Sequence, residues 1–102
     1  MGPGQDSARR SALVSIVVPL HDEAATVEVF HRELSAALDA LPAHRFEVIL
    51  VDDGSRDATL ERLVALAGRD ARLRVLELSR NFGKEAALTA GIDAARGAAV
   101  IP

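Results

Sequence analysis

At 102 residues the chain is one domain's worth at most, and burying about two thirds of its unfolded surface allows a core, though a small one. That core must be built from Ala, Leu, Val and Ile, because aromatic residues make up only 3% and Trp and Tyr are absent, which leaves little for nucleic-acid bases to stack on. A net charge of -3, from 12 basic and 15 acidic residues, gives no electrostatic case for nucleic acid or an anionic membrane surface, and the lack of Cys excludes disulfides, thiolate chemistry and Cys-type zinc sites.

Residues 1–12 are rich in Gly, Ser and Arg without periodicity, the composition of a disordered tail. Val14 to Val18 is the first expected strand, an apolar run of the kind buried in parallel sheets, and Pro19, which cannot donate to a ladder, is expected to end it. The apolar run Leu13 to Leu20 is too short to span a bilayer and no signal-peptide pattern follows it, so the chain reads as soluble and cytoplasmic. The loop Leu20-His21-Asp22-Glu23 leads into a helix from about Ala24 to Leu41, with Val27, Phe30, Leu34, Leu38 and Leu41 on one face and Pro42 closing it.

Phe46 to Ser55, reading Phe-Glu-Val-Ile-Leu-Val-Asp-Asp-Gly-Ser, is the stretch around which the rest is arranged. Val48 to Val51 has the continuous apolar character of a strand buried on both faces, and it stops at two carboxylates, Asp52 and Asp53. The carboxyl edge of an open parallel sheet is where ligands bind; Gly54 permits a sharp turn there, and Ser55 or Asp57 can cap the next helix. The plainer reading makes the two acids turn formers. Ala58 to Ala67 is the second expected helix, with Leu60, Leu63, Val64 and Ala67 inward and Gly68 as its stop. Leu73 to Leu78 is a third strand, and its Arg74 and Glu77 suggest a face or edge that meets water. Lys84 to Ala95 is a helix burying Ala87, Leu88, Gly91 and Ile92; Gly97 follows, and Ala98 to Ile101 begins a fourth strand.

This alternation predicts an α/β fold: a three-layer, mostly parallel, Rossmann-like sheet with right-handed crossovers. Because such folds continue past the fourth strand into a loop that carries function, the chain reads as the front of a larger domain, truncated after that strand, with an open edge that invites self-association.

Two common phosphate cradles do not fit. Pro19-Leu20-His21-Asp22-Glu23-Ala24 follows the first strand where the dinucleotide fingerprint needs glycines, and Gly83-Lys84 lacks the first glycine and the Ser/Thr of a P-loop. What remains at the ends of successive strands is Asp22 and Glu23, then Asp52 and Asp53, then Lys84. The acids suit ribose hydroxyls or a base N–H; Lys84, at a helix start, suits phosphate. Taken singly, Lys84 reads equally well as a solvated lysine, and His21 as an ordinary loop histidine.

Three motifs in order carry a resemblance: Val14-Ser15-Ile16-Val17-Val18-Pro19-Leu20-His21-Asp22-Glu23, then Val51-Asp52-Asp53-Gly54-Ser55, then Ser79-Arg80-Asn81-Phe82-Gly83-Lys84-Glu85-Ala86-Ala87-Leu88. Together the sequence from Val14 to Pro102 resembles the N-terminal part of a family 2 glycosyltransferase, of the subgroup that moves a hexose from a nucleotide onto a polyprenyl phosphate. The resemblance implies a GT-A fold whose nucleotide-binding half is residues 13–102, with the fourth strand beside the first. It implies that Pro19, His21 and Glu23 line the nucleoside pocket, that Asp53 holds the base and Val51 contacts it, that Asp52 belongs to the same site, and that Lys84 approaches the nucleotide of a UDP- or GDP-hexose. His21 stands where the family commonly has Tyr. The family's Asp-x-Asp motif for Mg²⁺ or Mn²⁺ is expected just past Pro102, with the catalytic base and acceptor site further on. No catalytic or metal residue is therefore expected in this chain, which alone should be inactive; the full-length proteins often work at the cytoplasmic face of a membrane. Two alternatives are a non-catalytic module that binds a nucleotide sugar or a partner, and a receiver-like signalling domain. The second is disfavoured because the third strand ends Leu78-Ser79-Arg80, without the phosphoacceptor Asp.

Overall fold

The structure, a computed structural model, describes residues 12–97 and the backbone of 99–101. The expected disorder of residues 1–11 lies outside the described residues, as do Ala98 and Pro102. In chain order the elements are β1 (Leu13–Leu20), a 3₁₀ turn (Ala24–Thr26), α1 (Val27–Asp39), β2 (Arg45–Asp52), α2 (Thr59–Ala67), β3 (Leu73–Glu77), α3 (Lys84–Ala94) and β4 (Ala99–Ile101). The strands form one parallel sheet in the order β3-β2-β1-β4. The chain thus winds outward from β1 in both directions, and β1 and β2 stand at the centre.

Side chains alternate across a strand, and the register carries that alternation through the sheet. Val18 pairs with Leu50 and Leu50 with Val75, so one face gathers Leu20, Val48, Leu50 and Leu73 against Val27 and Leu38 of α1 and Leu63 and Leu66 of α2. The other face gathers Val17, Ile49 and Val51 beneath Ala87 of α3. Gly91 brings α3 down onto this face: a Cβ there would run into Val17 Cγ1 and come within 3.0 Å of Val51 Cγ2. Three layers result, with the β2 run Val48–Val51 buried from both sides as its composition requires.

Several expectations need correction. Pro19 does not end β1, which continues through Leu20. Leu20 turns its carbonyl to Asp53 N on the β2 side, so Pro19 turns its backbone toward β4, whose described pairing with β1 stops at Ile16; the missing N–H breaks no ladder bond there. The first helix is shorter than expected, starting with a 3₁₀ turn and stopping at Asp39, and Leu41 is 47% exposed beyond it, because the residue before Pro42 is pushed out of helical geometry. In α2 the inward row is Thr59, Leu63 and Leu66, while Val64 is 55% exposed. In α3 Ala87 and Gly91 are buried, while Ile92 is 43% exposed. The third strand stops at Glu77, one residue short of the expected end, and it is an edge strand, in keeping with its charges.

At the amino end of the sheet lies a charged cluster that the sequence pattern does not announce. Glu47, though buried, accepts hydrogen bonds from Ser15 Oγ at 2.6 Å, Arg74 Nη1 at 2.6 Å and the Arg96 backbone N–H at 2.7 Å. Arg74 also donates to the Ala94 carbonyl, and Ser15 Oγ accepts the Gly97 N–H, so the turn leaving α3 is tied back to β1, β2 and β3 together. Burial alone would raise the Glu47 pKa, but the Ser15 hydroxyl, the Arg96 amide and the Arg74 guanidinium outweigh it and bring the value down to about 2.

Candidate functional site

Each strand of the sheet's centre ends in a loop at the carboxyl edge, and hydrogen bonds between those loops fix their shape. Asp22, in the left-handed region at φ 50°, accepts the Arg56 N–H at 2.7 Å and the Asp57 N–H at 3.3 Å, and its own N–H goes to Ser55 Oγ at 3.0 Å. Glu23 N–H meets Thr59 Oγ1 at 2.8 Å and Ala24 N–H meets Asp57 Oδ2 at 3.1 Å. Of the two expected caps, Asp57 takes the start of α2, accepting the Thr59 N–H at 2.9 Å, while Ser55 serves the β1 loop. The Thr59 hydroxyl has the largest effect on the Asp57 pKa and lowers it; desolvation opposes it, and the backbone amides of Thr59 and Ala24 lower it further.

Asp53 is 3% exposed. Its Oδ1 accepts the Phe82 N–H at 2.8 Å, and its Oδ2 accepts the Gly83 N–H at 3.1 Å and Asn81 Nδ2 at 3.3 Å. Its carbonyl lies 2.8 Å from His21 Nδ1, and the other ring nitrogen of His21 lies 3.2 Å from Asp22 Oδ2. Gly83, at φ 101°, then starts α3: its carbonyl receives the first intrahelical bond, from Ala87 N. The amides of the first turn, from Lys84 onward, precede that bond, and an N-terminus of this kind favours an anion.

Between these loops lies a cavity of about 330 Å³ lined by Pro19, Leu20, His21, Glu23, Asp53, Asn81, Gly83 and Lys84. The structure therefore brings five of the residues singled out from sequence, Pro19, His21, Glu23, Asp53 and Lys84, to one place. It combines acceptors, the Glu23 and Asp53 carboxylates, with one cation at a helix N-terminus, an arrangement suited to a ligand with N–H or O–H donors at one end and negative charge at the other. Leu20, Asn81 and Gly83 also line the cavity without having been singled out as site residues, although Leu20 lies in the first and Asn81 and Gly83 in the third of the motifs that carry the resemblance.

Val51 and Asp52 stand apart. Val51 is fully buried under α3 and is not among the residues that line this cavity. Asp52 falls on the opposite face of the sheet from Val51 and is buried; its carbonyl accepts the Leu78 N–H at 2.9 Å, its Oδ2 takes a long bond, 3.4 Å, from Ser55 N–H, and its Oδ1 has no partner among the described residues. It lines a second cavity, of about 570 Å³, with Asp22, Arg56, Glu77 and Arg80. Among the described residues no group of three His, Asp or Glu side chains comes together in a way that could hold a metal ion. No helix among them is long and apolar enough to cross a membrane.

Comparison with known proteins bears on the family and the fold. The chain is 46% identical over 95 residues to a dodecaprenyl-phosphate galacturonate synthase of Rhizobium johnstonii, covering 92% of this chain and 28% of that protein. It is 39% identical over 89 residues to a prophage bactoprenol glucosyl transferase homolog of Escherichia coli, covering 87% of this chain and 29% of that protein. The chain thus spans under a third of the length of these relatives. Among solved structures, a mannosyltransferase from Pyrobaculum calidifontis in complex with GDP-Man and Mn²⁺ superposes with a TM-score of 0.71 at 25% identity, covering 88% of this chain and 26% of that one. The parallel sheet and its helices are the Rossmann-like N-terminal half of the GT-A fold. The family model for Glycosyl transferase family 2 matches residues 15–102, and the chain belongs to that family.

Proposed function

We propose that residues 13–102 are the nucleotide-sugar-binding part of a hexosyltransferase that takes a UDP- or GDP-hexose and passes the sugar to a polyprenyl phosphate. The observation that carries this reading is the convergence of Glu23 and Asp53 with Lys84 at the start of α3 around one cavity. In this reading Pro19, His21 and Glu23 flank the nucleoside, Asp53 faces the base, and Lys84 with the first-turn amides meets the diphosphate. Val51 and Asp52 support the site from beneath, by packing α3 and by holding the turn after β2. The relatives named for dodecaprenyl phosphate and bactoprenol support the acceptor class, and the GDP-Man complex supports the donor class. A polyprenyl phosphate is a membrane lipid, and the relatives named for such lipids support the reading that the complete protein works at the cytoplasmic face of a membrane. Mg²⁺ or Mn²⁺ is proposed as its cofactor, where such an ion would stabilise charge on the departing diphosphate.

Calorimetric titration of the 102-residue chain with UDP and GDP tests the reading. One of the two is expected to bind, and more tightly than its nucleoside; if neither binds, the reading fails. With Mg²⁺ or Mn²⁺, nucleotide sugars and a polyprenyl phosphate, this chain, which spans under a third of the length of its relatives, is expected to bind donor without forming glycosylated lipid.

A further inference from the structure

The segment Asn81–Gly83 delivers Lys84 to the cavity, and three of the contacts that fix it go to a single side chain. The carboxylate of Asp53 receives the N–H groups of Phe82 and Gly83 and the amide of Asn81, at 2.8, 3.1 and 3.3 Å. Asn81 Nδ2 also reaches the Asp53 carbonyl at 3.2 Å, and the Asp53 N–H anchors the residue to Leu20 O at 2.8 Å. Next to it Gly54, at φ 66°, lies so near the same segment that a Cβ would run into Arg80 C and Asn81 N. The β2 loop is therefore the seat on which the β3 loop rests.

We propose that Asp53 is a positioning residue: it holds the Asn81–Gly83 backbone in the form that places Lys84 at the phosphate end of the ligand. The proposal rests on the nucleotide reading of the cavity and deepens it. An ionised carboxylate has about four acceptor positions, and three are already filled by the loop, leaving one for a base N–H. Recognition of the base and delivery of the lysine thus share one charge. A residue that only read the base would act on nucleoside and nucleotide equally; a residue that also carries the loop acts more strongly on the nucleotide.

The test combines amide hydrogen exchange with calorimetry on the full chain, as wild type, Asp53→Ala and Asp53→Asn. In Asp53→Ala the Phe82 and Gly83 amides are expected to exchange at least tenfold faster, while Val48 to Val51 in β2 keep their protection. Affinity for the nucleoside diphosphate is expected to fall at least threefold further than affinity for its nucleoside, and this excess should shrink in high salt. Asp53→Asn keeps the volume but presents an NH₂ group to one of the two backbone donors, so it should move both readings in the same direction; it supplies them if Asp53→Ala also loses protection in β2. Unchanged exchange at Phe82 and Gly83, or equal losses for nucleoside and diphosphate, would overturn the proposal. A wild type that binds neither diphosphate sinks the nucleotide reading instead, and the exchange rates still decide whether Asp53 holds the loop.

Discussion

The two ends of the sheet each bury one carboxylate that collects three donors, and the donors differ in kind. Glu47, 6% exposed at the amino end, has a guanidinium among them, whereas Asp53 at the carboxyl end has only neutral amides. The charge of Glu47 is balanced within the protein; among the described residues that of Asp53 meets no cation. The first arrangement is complete as it stands, and it serves stability. The second sets a carboxylate beside a cavity that Lys84 also lines, and in the proposed reading it serves a ligand. A carboxylate at a strand end is thus best classified by the charge of its donors rather than by their number.

Removing Glu47 separates the two ends most strongly. Glu47→Ala takes the carboxylate from Arg74 and Ser15, and loss of one member of a buried pair costs about 3–5 kcal/mol, toward the lower figure here because Arg74 is a third exposed and keeps the Ala94 carbonyl. Urea unfolding measures the loss; nucleotide affinity of the folded protein should be unchanged, and a parallel fall in affinity would break the separation. The same pair sets an acid limit. Unfolded, Glu47 takes its proton near the ordinary 4.5; folded, at about 2, so its stabilisation is complete above pH 4.5 and is lost as pH falls toward 2. That window spans about 3 kcal/mol. Asp70, held well below the usual range chiefly by Arg72 with help from His31, adds to the loss in the same direction. Unfolding free energies from pH 6 to pH 2 check the slope, which Glu47→Gln should flatten.

Gly91→Ala lies between the two ends. Its Cβ has no room against Val17, so α3 must shift or the core must strain, at about 1–2 kcal/mol after the gain in helix propensity. Because α3 carries Lys84, diphosphate affinity should fall with stability; thermal unfolding and calorimetry read the two together. The smallest stability effect belongs to Lys84→Ala, expected within about 0.5 kcal/mol. It should nonetheless weaken diphosphate binding roughly tenfold, leave nucleoside binding alone, and do so less in high salt. Equal losses for both ligands would return Lys84 to the role of a solvated surface charge.

What could be read from sequence divides along the same line. Val48 to Val51 declares its burial on both faces because four consecutive apolar side chains have no other home, and with the alternation of helices this leads to the parallel sheet. The site's strand-end residues were visible because the fold puts every strand end at one edge. The inward row of α2 was misjudged by one position, since a hidden Thr59, bonded through its hydroxyl, looks polar in the sequence while Val64 looks buried. Glu47 was not legible at all: an acid in a strand suggests a solvated face, and its partners Ser15, Arg74 and Arg96 are far off in the chain. The donors on Asp53 were hidden for a different reason. Two of the three are backbone N–H groups, which every residue but proline possesses.

The strand order has a consequence for how the molecule is made. The bonds that build the site close short loops: His21 to Asp53 spans 32 residues and Asp53 to Gly83 spans 30. The bond from Gly97 to Ser15 spans 82, and closing that longer loop costs about 0.9 kcal/mol more in chain entropy. During synthesis the strands β1, β2 and β3 emerge first and can pair before β4 exists. The loops that line the cavity can therefore take their shape before the seam between β1 and β4 closes.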